Sequence, residues 1–308
     1  MAVSRKIIKE VTQKVKDFIS LHPNESIGVH SCHFFYITSD GKEYVVLIPK
    51  DKKAIQDYKK QETLLPFLHK LHLPVLIPNG IDVVENADLT FAVEEKINGC
   101  EWNYETYTNF SETEKKIFSK QIAVFLFKLH QTSINNLPDC SFDDFFVFPD
   151  KETFFKNLRD VFPDEIKKDL HFVDKIYERA KVIFDFGKED VVFMHRDFHP
   201  QNTFIDKEKN LCAVIDWASC CVAPRIREFQ NLAGTEDKQL LINVLQNYNM
   251  LANTNILPEQ VVLFNQIEWI TCLDILKENP SLLNWAKKDG ALLAMGKLDK
   301  QIEKFLNV

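Results

Sequence analysis

Glycine is scarce in this chain, with 8 among 308 residues. So few exclude a collagen-like repeat or a glycine-rich linker, and no G-x-G-x-x-G is present to form a glycine loop over phosphates. Cysteine is present but lacks pattern. The seven (Cys32, Cys100, Cys140, Cys212, Cys220, Cys221 and Cys272) are odd in number and contain no C-x-x-C pair. A disulfide framework or a zinc site therefore has no spacing to rest on, and free thiols in a reducing, cytoplasmic setting are expected. Long apolar runs are missing: none approaches the ~18 residues of a membrane span. The opening SRKIIKEVTQKVKDFI has the pattern of an amphipathic helix and not of a signal peptide. A basic excess is missing as well. The formal charge of −7 argues against a nucleic-acid surface, which needs clustered Lys and Arg. It suits a cationic small partner, or serves solubility alone.

What is present describes a large folded chain. Hydrophobic residues make up 45% and there are 25 Phe, enough for big buried cores. The length fits two lobes better than one simple core. Apolar positions Ile7, Ile8, Val11, Val15, Phe18 and Ile19 recur at the helical period. HFFYIT and EYVVLI flank the turn Ser39-Asp40-Gly41-Lys42 and predict a β-hairpin. A helix follows over 53–72, with Pro66 as a possible interruption. LPVLIPNGIDVV and LTFAVEEKI read as two more strands. After Asn98-Gly99 the character becomes helical. Residues 111–131 form a long helix opened by a Ser111–Glu114 capping box, 151–186 are helical, and the chain is helical again from 236 onward.

The chemistry is concentrated in His195-Arg196-Asp197-Phe198-His199-Pro200-Gln201-Asn202, followed by Ile215-Asp216-Trp217. H-R-D-x-x-x-x-N with a later metal-binding Asp is part of the protein-kinase signature. Phosphoryl transfer needs a carboxylate near the acceptor hydroxyl and oxygen ligands for a divalent cation beside the moving phosphate. Asp197 supplies the first, and Asn202 and Asp216 the second. A short strand–turn–strand between Thr203 and Ile215 would bring Asp216 back beside Asn202.

These residues resemble the aminoglycoside phosphotransferase family, most strongly from Val191 to Glu228 and more loosely over most of the chain. SDGKEYVVLIPK is similar to the family's front-lobe hairpin, YKKQETLLPFL to its internal helix and FAVEEKINGCEW to its linker. The resemblance implies an α+β, bilobal protein-kinase-like fold. Residues 1–97 would form a β-rich, nucleotide-binding N-terminal lobe, and 98–308 a mainly helical C-terminal lobe for catalysis and substrate. It implies that Asp197 orients or deprotonates the acceptor hydroxyl, and that Asn202 and Asp216 hold Mg²⁺. The backbone of Glu95 and Ile97 would bond the purine of ATP or GTP, and Glu62 would pair with a nucleotide-binding lysine. The implied acceptor is a small, cationic molecule bearing a hydroxyl, with aminoglycosides first and choline, sugars or macrolides as alternatives. Antibiotic resistance would follow. No nucleic acid or membrane partner is implied, and a monomer or dimer is expected.

Two departures from the family pattern stand out. Leu47 occupies the place where the family usually has Lys or Arg, which leaves Lys50 either to reach inward past Pro49 or to stay a solvated strand-end lysine. Arg196 stands where the family often has Gly. The phosphate-covering loop would fall near 28–33, with Ser31 amides as candidate phosphate contacts. In the rear helices Glu268 and Trp269 are candidate substrate contacts, or else a core ring and a solvated acid. His195 is expected to anchor its loop, Trp102 to pack, and Glu228 either to brace the loop or to lie on a helix surface. Leu47 also motivates a competing reading, a nucleotide-binding protein with little or no catalysis.

Overall fold

The computed structural model describes residues 5–21, 32–39, 41–49, 51–86, 89–140, 142, 151–158, 162, 164–167, 170–183, 190–233 and 238–271. Gly41 takes a φ of 77°, the left-handed value that a tight hairpin turn requires. It closes β1 (Cys32–Ser39) onto β2 (Lys42–Pro49) with Ser39 opposite Lys42. Along β2 the pleat buries Tyr44, Val46 and Ile48 on one face and turns Val45 and Leu47 to the other. With β3 (Ile81–Asn86) and β4 (Leu89–Glu95) these strands make an antiparallel sheet ordered β1-β2-β4-β3.

The outer face of the sheet is closed by the N-terminal amphipathic helix, α1 (Arg5–Leu21). Val11 and Val15 pack there with Val46, Phe91 and Val93, at about 1.5–3 kcal/mol for each buried valine. The inner face meets α2 (Lys52–His69), whose first turn is capped by Asp51 accepting from the Ala54 N–H at 2.8 Å. The helix runs through Pro66. The expected strand LPVLIPNGIDVV is shorter than its apolar run suggests. Before Ile81 the backbone is irregular except at Leu76, which bridges Ala213 instead of joining the front sheet.

Behind the sheet come α3 (Tyr104–Thr108) and α4 (Glu112–His130), the latter opened by the expected Ser111–Glu114 capping box. The helical stretch expected over 151–186 holds, among its described residues, α5 (Lys151–Asn157), α6 (Asp164–Lys167) and α7 (Leu170–Ile183). Four short strands follow: β5 (Val191–Met194), β6 (Thr203–Ile205), β7 (Leu211–Val214) and β8 (Cys221–Pro224). They pair as two antiparallel ribbons, β5 with β8 and β6 with β7. Helices α8 (Gln239–Ala252) and α9 (Pro258–Thr271) complete the described chain. One apolar core runs from Leu64 and Leu65 of α2 through Phe125 and Leu129 of α4 to Val244 of α8 and Val261 of α9.

Candidate active site

The β6–β7 ribbon is where the front and rear of the molecule meet, because it is extended on both sides by backbone from elsewhere. Cys100, just after β4 and the linker, exchanges hydrogen bonds with Ile205 at 2.7 and 3.0 Å. On the far side Leu76 accepts from the Val214 N–H and donates to the Cys212 carbonyl, at 2.9 and 2.8 Å. Gly99 makes the first of these approaches possible. A Cβ there would sit 2.6 Å from Cβ of Phe204 and 3.3 Å from Sγ of Cys212.

The loop leaving β5 is fixed residue by residue. His195 is fully buried, and its Nε2 lies 2.9 Å from the carbonyl of Ile215, so a proton on Nε2 ties the end of β5 to the end of β7. This is the anchoring geometry expected of it. The next residue, Arg196, has a φ of 71°. The loop's backbone is held by Glu228, which is fully buried: Oε2 accepts from the His195 N–H at 2.7 Å and Oε1 from the Arg196 N–H at 3.0 Å. His130 of α4 stands 3.4 Å from the same Oε2 and 2.6 Å from the Tyr248 hydroxyl, and burial lowers its pKa. Phe198 is buried and stacks on Phe125 with ring centroids 5.6 Å apart. His199 caps the 3₁₀ turn Pro200–Asn202, its ring accepting from the Gln201 N–H.

These anchors bring three of the expected side chains to one end of the ribbon. Nδ2 of Asn202 donates to the Asp197 backbone carbonyl at 3.0 Å and to Oδ2 of its carboxylate at 3.1 Å. The Asn202 carbonyl accepts from the Ile215 N–H at 2.9 Å, which sets Asp216 across the ribbon from it. Asp216 has φ 57° and ψ 67°, a left-handed conformation that a side-chain-bearing residue seldom adopts. The buried Trp217 behind it bonds the Val214 carbonyl through Nε1, and Gln61 of α2 accepts from the Trp217 N–H at 3.1 Å.

The two carboxyls are driven apart electrostatically. Desolvation in the crevice works against ionising Asp197, but His199, then His195 and Arg196, outweigh it and hold the group well below the usual carboxylate range. Asp216 is pushed up, first by desolvation and then by the Asp197 charge. Glu94, on the inner face of β4, is raised to about 7 by burial and by Asp216. An Mg²⁺ ion suits this donor set. With Nδ2 of Asn202 spent on Asp197, the amide oxygen is the end suited to a cation, and a cation beside Asp216 would relieve the repulsion that raises its pKa. Among the described residues no three His, Cys, Asp or Glu side chains form a protein-only metal cage.

The other expected residues lie as follows. Glu62 is exposed on α2, its carboxylate 3.4 Å from the Val83 N–H. The α2 side chain that reaches the Asp216–Trp217 turn is its neighbour Gln61. The helical spacing Ala54, Tyr58, Gln61, Leu65, Leu68 marks that face and was the signal to follow. Glu95 ends β4 with its carboxylate 2.9 Å from Lys42, the contact that chiefly lowers its pKa. Ile97 is half-buried in the linker. Glu268 of α9 is not a solvated acid: its Oε1 lies 3.1 Å from Nη2 of Arg227 and 3.4 Å from Nη2 of Arg196. Trp269 lies on the last turns of α9, and Ser31 and Lys50 lie outside the described residues. Asn231, which the sequence reading missed, stands 3.4 Å from Oδ1 of Asp197. Trp102 packs as expected, buried and donating to the Thr203 hydroxyl at 2.8 Å.

An antiparallel sheet and one helix, set before a helical lobe that carries this loop and ribbon, is the arrangement of protein-kinase-like phosphotransferases. The chain belongs to the phosphotransferase enzyme family, whose model matches residues 28–253. Among solved structures it is similar to the GDP complex of aminoglycoside 2'-phosphotransferase-IIIa, with 15% identity, a TM-score of 0.64 and 96% of this chain covering 98% of that one. It is similar to APH(2")-IIa in a streptomycin–ATP ternary complex, with 23% identity, a TM-score of 0.54 and coverage of 88% and 93%. It is also similar to macrolide 2'-phosphotransferase MphH from Brachybacterium faecium, with 13% identity, a TM-score of 0.58 and coverage of 92% and 97%. No helix among the described residues is long and apolar enough to cross a membrane.

Proposed function

We propose that this chain moves the γ-phosphate of ATP or GTP to a hydroxyl of a small molecule, with cationic aminoglycosides the first acceptors to test. The observation that carries the reading is the hydrogen bonding of Asn202 to Asp197, with Asp216 set across the ribbon by the bond from the Ile215 N–H to the Asn202 carbonyl. The acceptor oxygen attacks the γ-phosphorus, the bond to the β–γ bridging oxygen breaks, and that oxygen leaves with the electron pair as part of the nucleoside diphosphate. The hydroxyl proton passes to Asp197. A carboxylate held so far below neutrality stays anionic but is a weak base. Its part is chiefly to orient the hydroxyl, which a loose phosphoryl-transfer transition state requires more than early deprotonation. Asn202 and Asp216 would hold Mg²⁺, which when bound offsets charge on the phosphates.

The lobe boundary is placed at 97/98, with the linker backbone at Glu95 and Ile97 assigned to the purine and Ser31 and Lys50 to the phosphates. Glu268 is already engaged by two arginines, so the acceptor's positive charge is assigned instead to the Asp197 carboxylate, which stays ionised. Similar structures solved with ATP and with GDP support a nucleotide donor. The protein is assigned to the cytoplasm.

A coupled nucleotide-turnover screen with aminoglycosides, macrolides, choline and sugars tests this. Mg²⁺-dependent diphosphate release that rises above the water background with one acceptor class is the expected result. Leu47, half-buried opposite Ala92 at the usual lysine place, favours a second reading, a nucleotide binder with little turnover. Nucleotide binding with no transfer to any acceptor would select it, and the absence of both binding and turnover would reject the two together.

A further inference from the structure

Next to Asp197 in the chain, Arg196 shares a carboxylate oxygen with a second arginine. Nη2 of Arg227 lies 3.1 Å from Oε1 of Glu268, and Nη2 of Arg196 lies 3.4 Å from the same atom. The Arg227 side chain has no solvent exposure and that of Glu268 only 13%. A charge so enclosed needs its counter-charge in place, so Glu268 is a fixture of the interior. It reaches the loop from α9, 72 residues further along the chain than Arg196.

The backbone says why the loop needs such a hold. Arg196 has a φ of 71°, a region open to glycine and unfavourable to any residue with a Cβ. The turn by itself asks for glycine. An arginine that stays there is held by its contacts: the main-chain N–H by Glu228 at 3.0 Å, the guanidinium by Glu268. The peptide that follows carries Asp197.

We infer that Glu268 is a positioning residue, which clamps Arg196 in its left-handed turn and through it fixes the Asp197 carboxylate against Asn202. The inference rests on the phosphotransfer reading for what the positioning serves. The geometry of the clamp does not depend on that reading.

Four variants test it: Arg196→Ala, Arg196→Gly, Glu268→Gln and the Arg196→Ala/Glu268→Gln double substitution, each assayed for turnover of Mg²⁺-ATP and Mg²⁺-GTP with the best acceptor of the screen, or water. Arg196→Ala and Glu268→Gln should each lower kcat about 10- to 100-fold, as a displaced reacting group does, with KM for nucleotide within about twofold. The double variant should be no slower than the slower single one, since both remove the same contact. Arg196→Gly should keep kcat within about threefold of the wild type, because glycine holds such a turn without a clamp. Glu268→Gln also takes charge away from Arg227. If it fails to fold, the two Arg196 variants decide alone, because both leave the Glu268–Arg227 pair intact. Wild-type kcat in Arg196→Ala, or an equal loss in Arg196→Ala and Arg196→Gly, overturns the inference. Amide hydrogen exchange over 195–197 in the same proteins separates the two questions. Faster exchange at Arg196→Ala and Glu268→Gln with no turnover even in the wild type rejects phosphotransfer and keeps the clamp. Unchanged exchange in both rejects the clamp whatever the turnover.

Discussion

Arg196 and Asp216 are the two residues of the site whose backbones sit in the left-handed region, at φ 71° and 57°, at a cost of roughly 1–2 kcal/mol each. They stand on either side of Asp197 in the chain, and His195 joins their loops through the Ile215 carbonyl. The identity of these residues was legible in the sequence, since Asp197, Asn202 and Asp216 carry a spacing that few other functions require. Their conformations were not: at Arg196 it takes tertiary contacts, the N–H bond to Glu228 and the guanidinium contact with Glu268, to keep a side-chain-bearing residue at such a φ. Asp197→Ala should abolish transfer and leave nucleotide binding within a few-fold, read by a transfer assay beside a binding titration. Glu228→Ala should cost about 2–6 kcal/mol in denaturant unfolding, because two enclosed N–H donors lose their acceptor at ~1–3 kcal/mol each. Glu94 offers a pH test. Its pKa rises from 4.5 to about 7 on folding, so folding favours the protonated acid; that advantage is full below pH 4.5 and is lost as pH climbs through about 7. Glu94→Gln should therefore melt with the wild type at acidic pH and above it at about pH 8.

Among the elements, the linker and the β6–β7 ribbon are joined at Gly99. Its missing Cβ lets the linker lie on Phe204, and the paired bonds of Cys100 and Ile205 follow from that closeness. Gly99→Ala should destabilise the protein by about 1–3 kcal/mol, the usual cost of overpacking, and should weaken nucleotide binding measured beside it, since the linker is the assigned purine contact. Periodicity made the hairpin, α1, α2 and α4 legible. It misjudged other segments for physical reasons. The run LPVLIP is apolar because Ile77 enters the core and Leu73 and Val75 pack against it, and not because it belongs to the front sheet; Leu76 bridges β7 through its backbone alone. β8 is four residues long and ends in Pro224, too short to show alternation, and is defined by pairing with β5. Glu62 and Gln61 are neighbours in sequence but 100° apart on a helix, and a motif match could not say which faces the ribbon.

For the whole molecule, the α+β class and its order, sheet first and helices after, could be read from the change in pattern near Asn98-Gly99. The way the two parts are joined could not. That depends on backbone pairing of Leu76 and Cys100 to the two strands of one ribbon, on Gln61 reaching the Trp217 N–H, and on a core shared by α2, α4, α8 and α9. The result places carboxyls from the front sheet and from the rear lobe in one crevice, where a divalent cation and a triphosphate would each be matched by groups of the other. The most direct measurement is the thermal shift of wild type and Asp216→Ala with ATP or GTP, with and without Mg²⁺. The account predicts that magnesium adds a clear nucleotide-dependent increase in Tm to the wild type and adds none to the variant. An equal magnesium-dependent increase in both proteins would contradict it.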